Sequence, residues 1–392
     1  MSYYDTIRTP RDFFNAARAQ EAMSLADLQQ SHHWNSAVSH WGVYNLFACR
    51  VICKQPSNVL PLLANNIGPG SEEGISSCID SLIQGPREDK PTLRTMEEPQ
   101  IVRTYEPDSL GYVWAALAPL LQRDGHTQTI TSSRSGRNRT KPDPGPYVPS
   151  NSYQISSSPL ERPNTASSAP SSVGYIERSS APLVEDFTVR FMNCLIRCVL
   201  NYAQNVNKEL PFVKYRDERL AYTYEPDSTG SKKFQAIDDG GIQVRHDGEN
   251  VQVAILEAKR TFQEIREGRP TVSNELLAQI VGEALALKAS TIRRGFRKDI
   301  VSIVAIQHYI KVFHLSITNS FVRHFDTLRP IDQNNDPDSY IQVESTSWFD
   351  VSEPTGRKYF VRHLLALIAW ADAAVETGPE SSDSSEDGMD LE

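Results

Sequence analysis

Residues 236–288 constrain the fold most. They read AIDDGGIQV, VQVAILEAKR and then ELLAQIVGEALALK: an acidic turn, two β-type runs, then a run with helical period. Inside the second β run, Glu257 and Lys259 are two residues apart, so on a strand they point to the same face. An E-x-K pair can be no more than an exposed ion pair on the wet face of a sheet. Here Val253, Ile255 and Leu256 make the strand largely buried, where ionised side chains are rare unless paired or bound to metal. Asp239 precedes Glu257 by 18 residues, a length that suits an antiparallel hairpin. Asp239, Glu257 and Lys259 are thus expected to converge. Two acids and a lysine suit a divalent cation beside a polarised phosphate, with Lys259 orienting a water or offsetting transition-state charge. Gln279 and Glu283 lie at i and i+4 of the next helix and share one face. Leu276, Leu277, Ile280 and Leu287 are expected on the sheet side.

An acid at the head of one strand, E-x-K on the next and a glutamine on the following helix resemble the PD-(D/E)XK nuclease superfamily. The resemblance covers roughly residues 183–375, and the wording D-G-G-I and E-A-K-R is similar to that of nuclease-like proteins of filamentous fungi. It implies an α/β fold with a restriction-endonuclease-like core, a small mixed sheet flanked by helices. It also implies hydrolysis of phosphodiester bonds with Mg²⁺ or Mn²⁺, on DNA ahead of RNA. By the same resemblance Asp239 and Glu257 are the metal ligands, and Asp239, Glu257, Lys259 and Gln279 the catalytic set. The superfamily's proline before the first acid is Asp238 here, so Asp238 stands beside Asp239 as an alternative ligand. Asp239 is favoured because it abuts the glycine pair and Ile242. Glu283 is a supporting residue. So is Glu185, in the first turn of a helix expected over 183–208, where some members place a metal-site acid; a favourable charge at a helix N-terminus is the simpler role. Asp227, after Pro226, lies in a Pro/Ser/Gly loop and is the weaker candidate.

The remaining chain divides by composition. Residues 1–123 read as a mostly helical region, loosely attached, with Thr9-Pro10-Arg11-Asp12 as a helix start. Residues 124–181 are Ser/Pro-rich and too poor in apolar groups to order themselves. Residues 182–376 hold the nuclease-like unit, and 377–392 form an acidic tail. Within the unit, Arg219–Tyr224, Ile300–Ala305 and Val312–Ile317 read as strands, and Tyr359–Val375 as the closing helix. Arg260–Val272 reads as a flexible lip over the site.

Charge and cysteine usage narrow the function classes. The 392 residues carry a net charge of −9, which does not favour strong non-specific nucleic-acid binding. Arg293, Arg294, Arg297 and Lys298 nevertheless cluster after the glutamine helix, where they suit either a phosphate backbone or a helix C-terminus. Cys49/Cys53 and Cys194/Cys198 have neither redox nor zinc spacing, and His32, His33 and His40 lack ligand partners. Free thiols imply a reducing compartment, nucleus or cytoplasm. No apolar run of membrane-spanning length and no signal-peptide core is present, so no membrane partner is expected. Three functions stay open: a metal-dependent nuclease; a catalytically inactive nuclease-like fold that binds nucleic acid or protein; and an interaction protein acting through its helical region and acidic tail.

Overall fold

The computed structural model describes residues 2–67, 76–86, 93–121, 185–225, 232–246, 248–266, 269–290, 294–295, 299–326, 328–331 and 336–377. The expected linker, 124–181, lies outside the described residues, as does the acidic tail from 378 onward.

Four short helices open the chain: α1 (Tyr3–Thr6), α2 (Pro10–Ala19), α3 (Leu25–Gln30) and α4 (Val43–Ala48), followed by strand β1 (Val51–Cys53). Helix α2 begins where the sequence predicts. Thr9 and Asp12 form a reciprocal capping box and Pro10 takes the first turn, where its missing N–H costs nothing. Helices α5 (Ser77–Gln84), α6 (Glu98–Thr104) and α7 (Asp108–Leu121) come next. Then follow α8 (Glu185–Ala203), β2 (Lys214–Arg216), β3 (Ala221–Tyr224), β4 (Phe234–Ile237), β5 (Gly241–His246) and β6 (Glu249–Lys259). A small ribbon, β7 (Ile265–Arg266) and β8 (Arg269–Pro270), leads to α9 (Asn274–Ala289) and β9 (Arg294–Gly295). The chain closes with β10 (Asp299–Ile306), β11 (Tyr309–Ser316), α10 (Asn319–His324), β12 (Ile341–Ser345), β13 (Phe349–Asp350) and α11 (Pro354–Thr377).

The fold is α/β, built on a mixed sheet of order β1-β12-β11-β10-β6-β5-β2, with β13 paired to β11 and β9 to β6. Strands β6 and β10 are parallel; β5–β6, β10–β11 and β11–β12 are antiparallel. Both faces are covered. One packs against α5–α8 and α11; the other packs against α9 and the N-terminal helices. Double coverage is why β6, β10 and β11 are buried along nearly their whole length rather than on alternate residues.

Three expectations change. The sheet is not small: among the described residues it has nine strands. The described residues up to 121 do not stand loosely apart. Strand β1 extends the sheet in parallel beside β12, with Val51 opposite Ile341 and Cys53 opposite Val343. Three residues are too few to show a period of two, so β1 is invisible in the sequence. The strand expected over Arg219–Tyr224 leaves the sheet altogether: β3 pairs with β4 in a separate two-stranded ribbon. The ribbon buries Tyr222, Tyr224, Phe234 and Ala236 on one face and leaves Thr223, Gln235 and Ile237 on the other.

Candidate active site

The site begins where the chain passes from ribbon to sheet. Asp239 N donates to the Leu256 carbonyl at 2.9 Å, and Leu256 N donates to the Gly240 carbonyl at 2.9 Å. Gly240 has φ +139°, and a Cβ there would meet Tyr215 Oη at 2.8 Å, so glycine alone fits the bend. The bend lays Asp239 against β6, where its Oδ2 accepts from Ala258 N at 3.0 Å. The hairpin inferred from residue spacing therefore forms, with Gly241 opposite Ile255.

On β6, Glu257 and Lys259 face α9 together with Ile255. Lys259 Nζ lies 2.6 Å from Glu257 Oε1. From α9, Gln279 Nε2 donates to Glu257 Oε1 at 2.7 Å and to Glu283 Oε1 at 2.8 Å. One amide thus bridges a carboxyl group on β6 and another one turn further along α9. Helix α9 can carry these polar groups inward because Ser273 caps its start and every residue from Leu276 to Leu287 is buried. Its second side is covered by the N-terminal region. A Cβ on Gly282 would come within 2.5 Å of Val38 Cγ1 and 2.9 Å of the Trp41 ring.

The electrostatics follow from burial. Glu257 is 0 % exposed, and Asp239 and Glu283 are each 1 % exposed. Burial, then the neighbouring Glu257 and Glu185 carboxylates, push Asp239 up to about 8. Burial, then the neighbouring Glu257, raise Glu283 well above the usual carboxylate range and favour its protonated form. Burial would lower Lys259, but Glu257 beside it outweighs burial and the ammonium stays charged. Four carboxyl groups (Asp239, Glu257, Glu283, Glu185) therefore face two cations, Lys259 and Arg219.

The candidate residues separate clearly in space. Asp238 is buried among donors: Arg216 Nη2 at 2.5 Å and Nη1 at 3.1 Å, Tyr222 Oη at 2.5 Å and Leu220 N at 2.9 Å. It ties β2 and β3 together, whereas Asp239 faces the acidic cluster. Glu185, in the first turn of α8, is also buried, and its charge acts on Asp239, Glu257 and Lys259. Arg293, Arg297 and Lys298 lie outside the described residues. Arg294 sits on β9 opposite Val251. The segment Arg260–Val272, expected as a lip, carries the β7–β8 ribbon, and its Phe262 ring meets Tyr309 at 5.4 Å and Trp348 at 5.3 Å.

Two contributors escape the sequence reading. Arg219 Nη2 lies 3.2 Å from Asp239 Oδ1 and 3.7 Å from Asp186. Its only sequence signal is a cation just before a strand. Residues Ser36–Ser39 form a wall of the site, and nothing in their sequence marks them. A cavity of ≈ 570 Å³ opens onto Asp239, Gln279, Glu283 and Arg219, lined further by Ser36–Ser39 and by the ribbon from Lys233 to Ile237.

Asp239 Oδ1 is buried without a hydrogen bond of normal geometry, and so is Glu283 Oε2. Among the described residues, no group of three or more His, Cys, Asp or Glu side chains is gathered so as to hold a metal ion. None of their helices is long and apolar enough to cross a membrane. Comparison with protein-family models, curated proteins and solved structures finds no match to this chain.

Proposed function

We propose that this protein is a metal-dependent nuclease of the PD-(D/E)XK type, acting on phosphodiester bonds of nucleic acid, DNA ahead of RNA. On this reading β5, β6 and β10 with α8 and α9 are a restriction-endonuclease-like core inside the larger sheet. The observation that carries it is the meeting of Asp239, Glu257, Lys259 and Gln279 in one buried cluster beside a cavity.

The donor chemistry fits Mg²⁺ or Mn²⁺. All candidate ligand atoms are carboxylate oxygens, the acids outnumber the cations, and Asp239 Oδ1, paired with Arg219 at 3.2 Å, accepts no hydrogen bond of normal geometry. Asp239 and Glu257 would hold the ion; Mg²⁺ needs only one or two carboxylates and keeps several waters. When bound, the ion supplies a polarised phosphoryl oxygen and a more acidic water. The chain's own groups do the rest. Lys259 stays protonated beside Glu257 and offsets negative charge that builds on the phosphate. Gln279 fixes the Glu257 carboxylate by a buried hydrogen bond. Arg219 favours the ionised form of Asp239, against burial.

One observation favours the alternative, an inactive nuclease-like fold that binds nucleic acid or protein. Glu257 Oε1 is already engaged by Lys259 and Gln279. A cleavage assay separates the two. Purified protein is incubated with single- and double-stranded DNA and RNA in Mg²⁺, Mn²⁺ or EDTA, beside Lys259→Ala and Glu257→Ala proteins checked for folding. Metal-dependent cleavage lost in both variants supports the nuclease. No cleavage of any substrate leaves the binding module as the reading.

A further inference from the structure

We propose that the cavity receives a single strand of nucleic acid, threaded along β4 and held by Lys233, and not an intact duplex. This rests on the nuclease reading above. Three features argue for it.

The acids are recessed. Asp239 and Glu283 line the cavity and are each 1 % exposed, so the scissile phosphate has to enter the cavity to meet them. The cavity measures ≈ 570 Å³, within the range of pockets that enclose a small ligand, about 300–1,000 Å³. A double helix, whose major groove alone is about 12 Å wide, cannot enter a space of that size. An unpaired nucleotide or a strand end can.

The walls suit a strand. The open face of the β3–β4 ribbon presents Thr223, Gln235 and Ile237, and Ile237, at 45 % exposure, is an apolar surface two residues before Asp239. The adjoining wall, Ser36–Ser39, is fastened to the same ribbon. Gln235 N donates to the Ser36 carbonyl at 2.8 Å, and Ala37 forms a bridge with Gln235. The trough is therefore a built feature of the fold, polar along its edges and apolar beside the acids.

Lys233 supplies a backbone contact. It lines the cavity, is exposed, and has no ion-pair partner among the described residues. At about 3.3 Å per residue it lies on the order of 15–20 Å along the chain from Asp239, so it would meet a phosphate other than the reacting one. Arg219, beside Asp239, is the second cation of the lining.

Fluorescence anisotropy on the full chain tests this, with Ca²⁺ in place of Mg²⁺ to suppress turnover. The probes are a labelled single-stranded DNA 12-mer and a covalently closed dumbbell duplex of the same sequence. The expected result is at least about tenfold tighter binding of the single strand. Lys233→Glu weakens that binding and reduces its salt slope by about 1, with circular dichroism unchanged. Equal or tighter binding of the dumbbell, or no effect of Lys233→Glu, overturns the proposal. If the dumbbell is also cleaved in Mg²⁺, only the substrate claim falls and the nuclease stands. Binding of neither probe overturns the proposal too, and a concurrent Mn²⁺ titration then shows whether the metal site survives it.

Discussion

Glu257 and Lys259, two residues apart on β6, form an ion pair of 2.6 Å with the carboxylate wholly buried. Such a pair contributes little net stability, because desolvating two charges roughly cancels their attraction. Breaking one side is another matter, since a buried carboxylate is left without its cation. Lys259→Met is expected to cost about 3–5 kcal/mol, and the double variant Glu257→Gln/Lys259→Met to recover much of it. Urea denaturation of the four proteins checks this; additive losses would show that the pair is not coupled.

Asp239 gives a pH signature in the metal-free protein. Its pKa is raised from 3.8 to about 8 by burial, then by Glu257 and Glu185. Between those values the folded chain holds a proton that the unfolded chain has released. Stability from this group is complete below about pH 4 and is lost as pH rises through 8. Asp239→Asn in EDTA is expected to show a shallower decline over that window. Parallel pH profiles of the two proteins would refute the assignment.

The sequence made the hairpin and its two faces legible because their signals are local. Alternation places Glu257 with Lys259, and the i, i+4 spacing places Gln279 with Glu283. Arg219, Glu185 and Ser36–Ser39 reach the same spot only through tertiary packing, which leaves no periodic trace. Glu185 illustrates this: a charge in a first turn reads equally well as a helix-end group. The three-residue strands β1 and β2 were illegible for the same reason that short runs have no period. Asp238 and Asp239 are neighbours in sequence with opposite surroundings, one saturated by Arg216 and Tyr222, the other turned to β6.

Gly282 tests whether the N-terminal region is integral to the fold. A Cβ there would stand 2.5 Å from Val38 and 2.9 Å from Trp41, on the segment that walls the cavity. Gly282→Val is expected to destabilise by about 1–3 kcal/mol through overpacking. It should also speed proteolysis within residues 31–42. A neutral effect on both would mean that this contact is loose.

Lys311 gives the opposite pH trend. It is buried on β11, donates to the Thr346 carbonyl and lies 5.2–5.7 Å from the Tyr4, Phe313 and Trp348 rings. Burial lowers its pKa from 10.5 to about 7. Between 7 and 10.5 the unfolded chain binds a proton that the folded chain does not, so stability from this group rises with pH across that window. The advantage of Lys311→Met over wild type should therefore be larger at pH 7 than at pH 10, as read by thermal unfolding. An unchanged difference would contradict a neutral buried amine.

The central claim is that Asp239 and Glu257 hold a divalent cation, and calorimetric titration with Mn²⁺ at pH 8 tests it most directly. Wild type is compared with Asp239→Asn and Glu257→Gln, each shown to be folded. The account predicts a single bound Mn²⁺, proton release on binding, and at least about a tenfold loss of affinity in each variant. No binding by wild type, or binding that neither variant weakens, would contradict it.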